Sequence, residues 1–73
     1  MKEFKEYDLV RTLVDKPNAP KGTFGAIVSF YQDNEACEVE VWDQSSYPYD
    51  VITYELHEIE KASEEELRKA RKA

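Results

Sequence analysis

Acidic and aromatic side chains are concentrated in the middle of the chain, in a composition typical of a protein-binding surface. Glu38, Glu40 and Trp42 stand two residues apart, which places them on one face of a β-strand. Charged and aromatic groups together provide the ion pairs and ring contacts on which protein interfaces depend. The sequence therefore predicts a partner-binding surface formed by Glu38, Glu40, Trp42, Asp43, Tyr47, Tyr49 and Asp50.

Each part of this surface also has a purely structural interpretation. Alternating glutamates are commonly the solvated face of a strand, and Trp42 could cap the open end of the fold or pack on a terminal helix. The segment Tyr47-Pro48-Tyr49 could be a rigid loop folded back on the sheet. The combination of acidic and aromatic residues favours the binding interpretation.

Catalytic chemistry is poorly represented. His57 has no serine or cysteine nucleophile at motif spacing, and Cys37 alternates with Val39 and Val41 as a buried side chain would. A single cysteine and a single histidine form no zinc-binding set. We therefore expect no enzyme activity, no catalytic residue, no metal and no cofactor.

The charge is distributed unevenly along the chain. The net charge of −6 arises in residues 22–60, which contain nine acidic residues and no lysine or arginine. Such a stretch repels nucleic-acid phosphates and complements a basic partner. The apolar runs are too short to cross a membrane, and residues 1–4 do not begin a signal peptide, so a cytoplasmic protein is expected.

Alternating patterns predict mainly β structure. Strands are expected over residues 7–14, 23–31, 36–42 and 51–59, with residues 23–31 as the central strand. Loops are expected over residues 15–21 and 43–50, and a tight turn over residues 32–35. Cys37, Val39 and Val41 should face the core, opposite Glu38, Glu40 and Trp42.

The end of the chain changes from strand to helix. Ser63 and Glu66 have the spacing of a capping box, in which each side chain accepts a hydrogen bond from the other's backbone. Acidic residues follow at the start and basic residues at the end, as the helix dipole favours. We expect a short, loosely docked or frayed helix.

These elements predict a small SH3-like barrel of four to five antiparallel strands with a short C-terminal α-helix. Residues 1–62 would form the barrel and residues 63–73 the charged helix or tail. Gly22 and Gly25 precede or enter the central strand, where a sharp bend or a bulge would exclude a side chain.

Three short motifs support a family resemblance. They are Asp8-Leu9-Val10, the glycine turn and strand over residues 22–28, and the alternating strand over residues 37–41. With them, residues 4–60 resemble the bacterial domain of unknown function numbered 4926. The resemblance implies an SH3-like barrel with no known catalytic residues. Many members of that family appear beside toxin domains, which implies an immunity or antitoxin role for some of them.

The favoured function is therefore a protein-binding inhibitor, an immunity protein or antitoxin that neutralises a basic toxin such as a nuclease. The alternative is a small accessory subunit or adaptor barrel that docks on a larger complex or a peptide. Neither direct nucleic-acid binding nor membrane binding is expected. Exposed strand edges leave both a monomer and a homodimer open.

Overall fold

Five antiparallel strands and one C-terminal helix form the fold in the computed structural model, which describes residues 3–71. This arrangement confirms the mainly β fold class. Met1, Lys2, Lys72 and Ala73, the outermost residues of the two predicted segments, lie outside the described residues. The elements are β1 (Leu9–Thr12), β2 (Phe24–Phe30), β3 (Ala36–Trp42), β4 (Pro48–Glu55), a 3-10 helix (Leu56–Glu58), β5 (Ile59–Lys61) and α1 (Glu64–Arg71).

The strands form a single sheet in the order β4-β3-β2-β1-β5, with β2 in the centre as predicted. Strand β3 pairs along its whole length with β4, from Ala36 opposite Glu55 to Trp42 opposite Pro48. Within residues 3–71 the edge strands β4 and β5 do not pair with each other. The sheet is consequently open and not a closed barrel, while its five antiparallel strands and the C-terminal helix agree with the predicted fold class.

The loop between β1 and β2 covers the free edge of β4. Lys16 Nζ donates a hydrogen bond to the Thr53 carbonyl oxygen at 2.9 Å, and the Tyr49 hydroxyl donates to the Asn18 carbonyl oxygen. Ala19, near the tip of this loop, is fully buried. A covered edge cannot template pairing with another chain, so the loop protects β4 where barrel closure would otherwise do so.

The core lies on the inner face of the sheet, where the alternation of β3 decides which side chains are buried. Cys37, Val39 and Val41 are completely buried, as predicted, and Ile27 and Tyr54 from the flanking strands pack in the same cluster. Burial of aliphatic and aromatic side chains on this scale is the main stabilising contribution in a domain of this size.

Two predicted boundaries around β4 are wrong. Strand β4 begins at Pro48, inside the predicted loop 43–50, because proline is tolerated at the first position of an edge strand. The predicted strand 51–59 is divided by the 3-10 helix at Leu56–Glu58. This turn redirects the chain from one edge of the sheet to the other, where Ile59 pairs with Thr12.

Gly22 and Gly25 are each needed at their positions, for different structural reasons. Gly22 has a φ of +92°, in the left-handed region that glycine adopts at little cost. Gly25 lies in β2 at a close approach to β3, so that a Cβ atom there would collide with the backbone carbonyl of Glu40. Tyr7, predicted to begin β1, has a φ of +73° and lies outside the strand.

Helix α1 starts with the predicted capping box. The Ser63 amide donates to Glu66 Oε1 at 2.7 Å, and the Glu66 amide donates to Ser63 Oγ at 3.0 Å. Of its apolar residues within the described part of the helix, Leu67 is partly buried and Ala70 is exposed. In residues 3–71 no helix is long and apolar enough to traverse a membrane.

Candidate protein-binding surface

The outer face of β3 and β4 carries a hydrogen-bonded acidic group. Glu38 lies directly opposite Thr53 in the paired strands, and Glu38 Oε2 accepts a hydrogen bond from Thr53 Oγ1 at 3.0 Å. The Tyr31 hydroxyl, which extends from the end of β2, also donates to Glu38 Oε2. Two neutral hydroxyl groups thus fix the carboxylate on the outer face without neutralising it.

Glu40 and Trp42 form the next contact on the same face of β3. The Trp42 Nε1 group donates a hydrogen bond to Glu40 Oε2 at 2.9 Å, which is possible because residues two apart in a strand point to the same side. Val51, opposite Glu40 in β4, is 53% exposed. Glu40, Trp42 and Val51 thus place a carboxylate beside apolar side chains on the outer face.

Trp42 is partly buried beside helix α1 and divides two clefts. The smaller cleft, of about 290 Å³, lies between Trp42, Leu9 and the α1 residues Leu67 and Arg68. Packing near the terminal helix was one of the two structural interpretations of Trp42. Trp42 also lines the larger cleft.

The larger cleft, which we call the aromatic groove, has a volume of about 540 Å³. It opens between the end of the β1–β2 loop, the β3–β4 turn and the end of α1. Its walls include Pro20, Phe24, Trp42, Asp43, Tyr49 and Arg71. This volume is in the range of sites that hold small ligands or single side chains of a partner.

The β3–β4 turn, residues 43–47, uses Asp43 to fix its own backbone. Asp43 Oδ1 accepts hydrogen bonds from the Ser45 amide at 2.8 Å and the Tyr47 amide at 3.0 Å. Ser46 has a φ of +65°, as the tight turn requires. The Asp43 carboxylate is therefore a turn-forming group, whereas the Tyr47 side chain is 69% exposed and free of a fold role in this turn.

Tyr49 and Asp50 connect β4 to the β1–β2 loop. The register between β3 and β4 shifts at Val41 and Trp42, which leaves Tyr49 without a directly paired residue. Its side chain lines the aromatic groove, and Asp50 Oδ2 accepts a hydrogen bond from Asn18 Nδ2 at 3.4 Å. The hydrogen bond from Tyr49 to Asn18 holds this segment against the β1–β2 loop, as expected if Tyr47-Pro48-Tyr49 folds back on the sheet.

The structure thus divides the seven predicted residues into two groups joined by Trp42. Glu38 and Glu40 lie on the outer face of the sheet beside Tyr31, Val51 and Thr53. We call these five residues the acidic face. The other four predicted residues, Asp43, Tyr47, Tyr49 and Asp50, belong to the β3–β4 turn and its exit.

Sequence reasoning missed the residues that contact these groups from distant segments. Tyr31 and Thr53 reach Glu38 from the two neighbouring strands, and Phe24 and Arg71 reach the aromatic groove from β2 and α1. The alternation of β4 places Thr53 on the outer face and could have indicated that contact. No local signal indicated Arg71.

Cys37 and His57 lie in different environments. Burial, with a smaller contribution from the nearby Glu38 charge, raises the pKa of the Cys37 thiol to about 11, so the thiol is protonated at neutral pH. His57 is exposed, and its Nδ1 atom lies 3.6 Å from Glu55 Oε1. In the described part of the chain no three histidine, cysteine or acidic side chains are grouped as a metal ion would require.

Comparison with known proteins gave no match to a family model, a curated protein or a solved structure.

Proposed function

We propose that this protein is a protein-binding inhibitor, an immunity protein or antitoxin that binds and neutralises a basic toxin such as a nuclease. The observation that supports it best is the state of the acidic face. Neutral donors from Tyr31, Thr53 and Trp42 hold the carboxylates of Glu38 and Glu40 there.

Several acidic residues elsewhere in the fold are paired with the chain's own bases. Glu60 pairs with Arg11 and Glu58 with Lys16, the second pair at 3.2 Å. Among residues 3–71, by contrast, no lysine or arginine lies at ion-pair distance from Glu38 or Glu40. The acidic face therefore keeps a negative charge that the fold itself does not compensate.

A basic enzyme is the partner that complements such a surface. Enzymes that cleave nucleic acid hold phosphates with clustered lysines and arginines, and an acidic domain can cover that cluster with electrostatically steered association. The hydrogen bonds to Glu38 and Glu40 also restrict both side chains before binding, which lowers the entropy lost on association. Exposed Val51 and Tyr31 supply apolar contact beside the charges.

The proposal is tested with the tagged full chain, used to recover proteins from cells that carry its neighbouring genes. A basic protein recovered in this way is purified, and its affinity is measured at rising salt with a Glu38→Gln, Glu40→Gln double variant. Glutamine keeps the size and the hydrogen-bond acceptor but removes the charge. We expect about a tenfold or larger loss of affinity in the variant, a decrease with salt, and loss of protection in a toxicity-rescue assay.

A Glu3→Gln, Glu6→Gln double variant is the matched control, because it removes the same net charge from exposed positions outside the sheet. It should bind and protect as the unmodified chain does. Equal losses in both double variants would reduce the effect to net charge and contradict a binding role for the acidic face. Recovery of a large assembly that is indifferent to salt and to both variants would instead support an accessory subunit or adaptor.

A further inference from the structure

The aromatic groove already contains a cationic side chain from the protein itself. Arg71, in the last turn of α1, donates from Nη2 to the Asp43 carbonyl oxygen at 2.8 Å and from Nε to Ser46 Oγ at 3.2 Å. The guanidinium carbon also lies 5.5 Å from the centre of the Phe24 ring. Two oxygen acceptors and one aromatic ring thus surround the Arg71 guanidinium. The Arg11 guanidinium carbon lies 5.8 Å from the centre of the same ring, and Lys21 also lines the groove.

These groups match the chemistry of arginine better than that of lysine. A guanidinium presents several N–H donors in one plane and stacks on aromatic rings, whereas an ammonium is a compact and strongly hydrated charge. The β3–β4 turn fixes the acceptor, since the Asp43 carbonyl also accepts from the Ser46 amide at 2.9 Å. The acceptor is therefore in place whether or not Arg71 is bound.

The segment that brings Arg71 to the groove is weakly attached. No residue of α1 is buried over its eight residues, Glu64–Arg71. Its other contacts with the sheet include an ion pair at 3.7 Å between the exposed Glu66 and the partly buried Arg11, and the partly buried Leu67. Exposed ion pairs contribute little, and an eight-residue helix is marginal on its own, so Arg71 can leave the groove without unfolding the sheet.

The groove also has room beside Arg71. Its open volume of about 540 Å³ remains with the Arg71 side chain in place, and Trp42 and the 47% exposed Tyr49 form part of its walls. Accessible aromatic side chains around a polar acceptor are typical of positions that anchor a partner's side chain. The groove therefore has space for the rest of a partner residue whose guanidinium takes the place of Arg71.

We propose that the aromatic groove is an arginine-binding site, in which Arg71 is the internal occupant and an arginine of the basic partner replaces it. This inference rests on the proposed function, because it names the chemistry of one contact that such a partner makes. It gives α1 a role as an internal competitor, since the groove becomes available to a partner only in the fraction of molecules from which Arg71 has withdrawn.

The test uses the full chain and two probes, the capped tripeptide Gly-Arg-Gly and its counterpart Gly-Lys-Gly. Trp42 is the only tryptophan and lines the groove, so its fluorescence reports binding. Removing the internal competitor in Arg71→Ala should tighten binding of the arginine peptide about fivefold relative to the unmodified chain. The lysine peptide should bind Arg71→Ala at least about threefold more weakly than the arginine peptide.

Lys69→Ala is the matched control, because it removes the same charge from α1 at an exposed residue whose one ion pair within residues 3–71 is with Glu65. It should bind the arginine peptide as the unmodified chain does. Arg71→Lys, which keeps the charge and the helical propensity, should also bind the arginine peptide more tightly than the unmodified chain, and it decides the test if Arg71→Ala fails to fold. Equal affinities in Arg71→Lys and Lys69→Ala, or no preference for arginine over lysine, would overturn the arginine site.

The peptide assay separates this inference from the proposed function. Glu38 does not line the groove, so Glu38→Gln should leave peptide binding unchanged while it weakens capture of the basic protein. Arginine-selective binding without recovery of any basic protein would retain the site and reject the inhibitor. Recovery of a basic protein without arginine-selective binding would retain the inhibitor and reject the site.

Discussion

The sheet with its covering loop buries nine hydrophobic side chains to 4% exposure or less, whereas α1 buries none of its eight residues, Glu64–Arg71. Both segments have well-formed backbone hydrogen bonds, and α1 also has both bonds of its capping box. They differ in what attaches each of them to the remainder of the protein. Apolar packing holds the sheet, and a small set of polar contacts holds the helix.

This difference has a functional consequence. Apolar burial is lost only when the fold opens, but a hydrogen bond from Arg71 to a carbonyl oxygen can be exchanged for one from another molecule. A surface that must be available to a partner is therefore better covered by α1 than by a strand. The following five predictions test this contrast between the sheet and the helix.

The largest effect is expected at the closest approach of β2 and β3. Gly25→Ala would place a methyl group against the Glu40 carbonyl, so one strand must shift, and we expect a loss of about 3 kcal/mol in the free energy of unfolding. Gly22→Ala is the control, since its position has open space and only the positive φ opposes alanine; it should lose about 1 kcal/mol. Urea unfolding measures both. Equal losses would show that β2 and β3 can separate freely.

A second comparison uses two valines on opposite faces of the sheet. Val39→Ala leaves a cavity in the core and should lose about 2 kcal/mol, while Val51→Ala removes an exposed side chain and should lose less than about 0.5 kcal/mol. Both changes replace a β-branched residue by alanine in a strand, so the difference in unfolding free energy isolates burial. Similar losses would contradict the assignment of the core to the inner face.

The third prediction concerns Cys37, whose pKa is raised to about 11 by burial and by the charge of Glu38. Because the folded state favours the neutral thiol, the contribution of this group is complete below the unfolded pKa near 9 and is lost as pH rises toward 11. The loss should reach roughly 2 kcal/mol at pH 11 relative to Cys37→Ala, which lacks the titrating group. Parallel stability curves of the two chains between pH 9 and 11 would contradict this.

Local sequence patterns predicted an element correctly where residues close together in the chain determine it. Residues 36–42 alternate strictly and form β3 with the predicted bounds, and the spacing of Ser63 and Glu66 located the start of α1. The break at Leu56–Glu58 was missed because Leu56 is partly buried and continues the alternation of β4, as the next inward residue of a strand would. Periodicity carries no information about where a chain must cross to the other edge of a sheet.

The candidate site was predictable only in part, for the same reason. Glu38, Glu40 and Trp42 share a face because they share a strand, so their spacing alone placed them together. The position of Tyr49 depends on a register shift between β3 and β4, and that of Arg71 on contacts with a turn more than twenty residues earlier. Long-range contacts of this kind leave no periodic trace in the sequence.

The smallest effect on global stability is expected at the start of α1. Ser63→Ala removes the hydroxyl that accepts a hydrogen bond from the Glu66 amide. Such a cap contributes about 1 kcal/mol, so its loss should shift the helix-coil equilibrium of α1 about fivefold toward coil. Because α1 buries no residue from Glu64 to Arg71, the free energy of unfolding of the sheet should change by less than about 0.5 kcal/mol. Amide hydrogen exchange should become faster in α1 while β3 keeps its protection.

Acid should also weaken the start of α1, without any substitution. The hydrogen bond from the Ser63 amide, aided by Arg11, lowers the pKa of Glu66, so this stabilisation is complete above about pH 4.5 and is lost as pH falls through the lower folded value. Amide hydrogen exchange in α1 should therefore become faster relative to β3 as the pH is lowered.

Ser45→Ala is the control for Ser63→Ala, because Ser45 is exposed and its side chain makes no hydrogen bond within residues 3–71. It should change neither the free energy of unfolding nor the hydrogen exchange of α1. If Ser63→Ala destabilised β3 as much as α1, the helix would be part of the cooperative fold. Arg71 would then be a structural contact, and a partner could not displace it without unfolding the sheet.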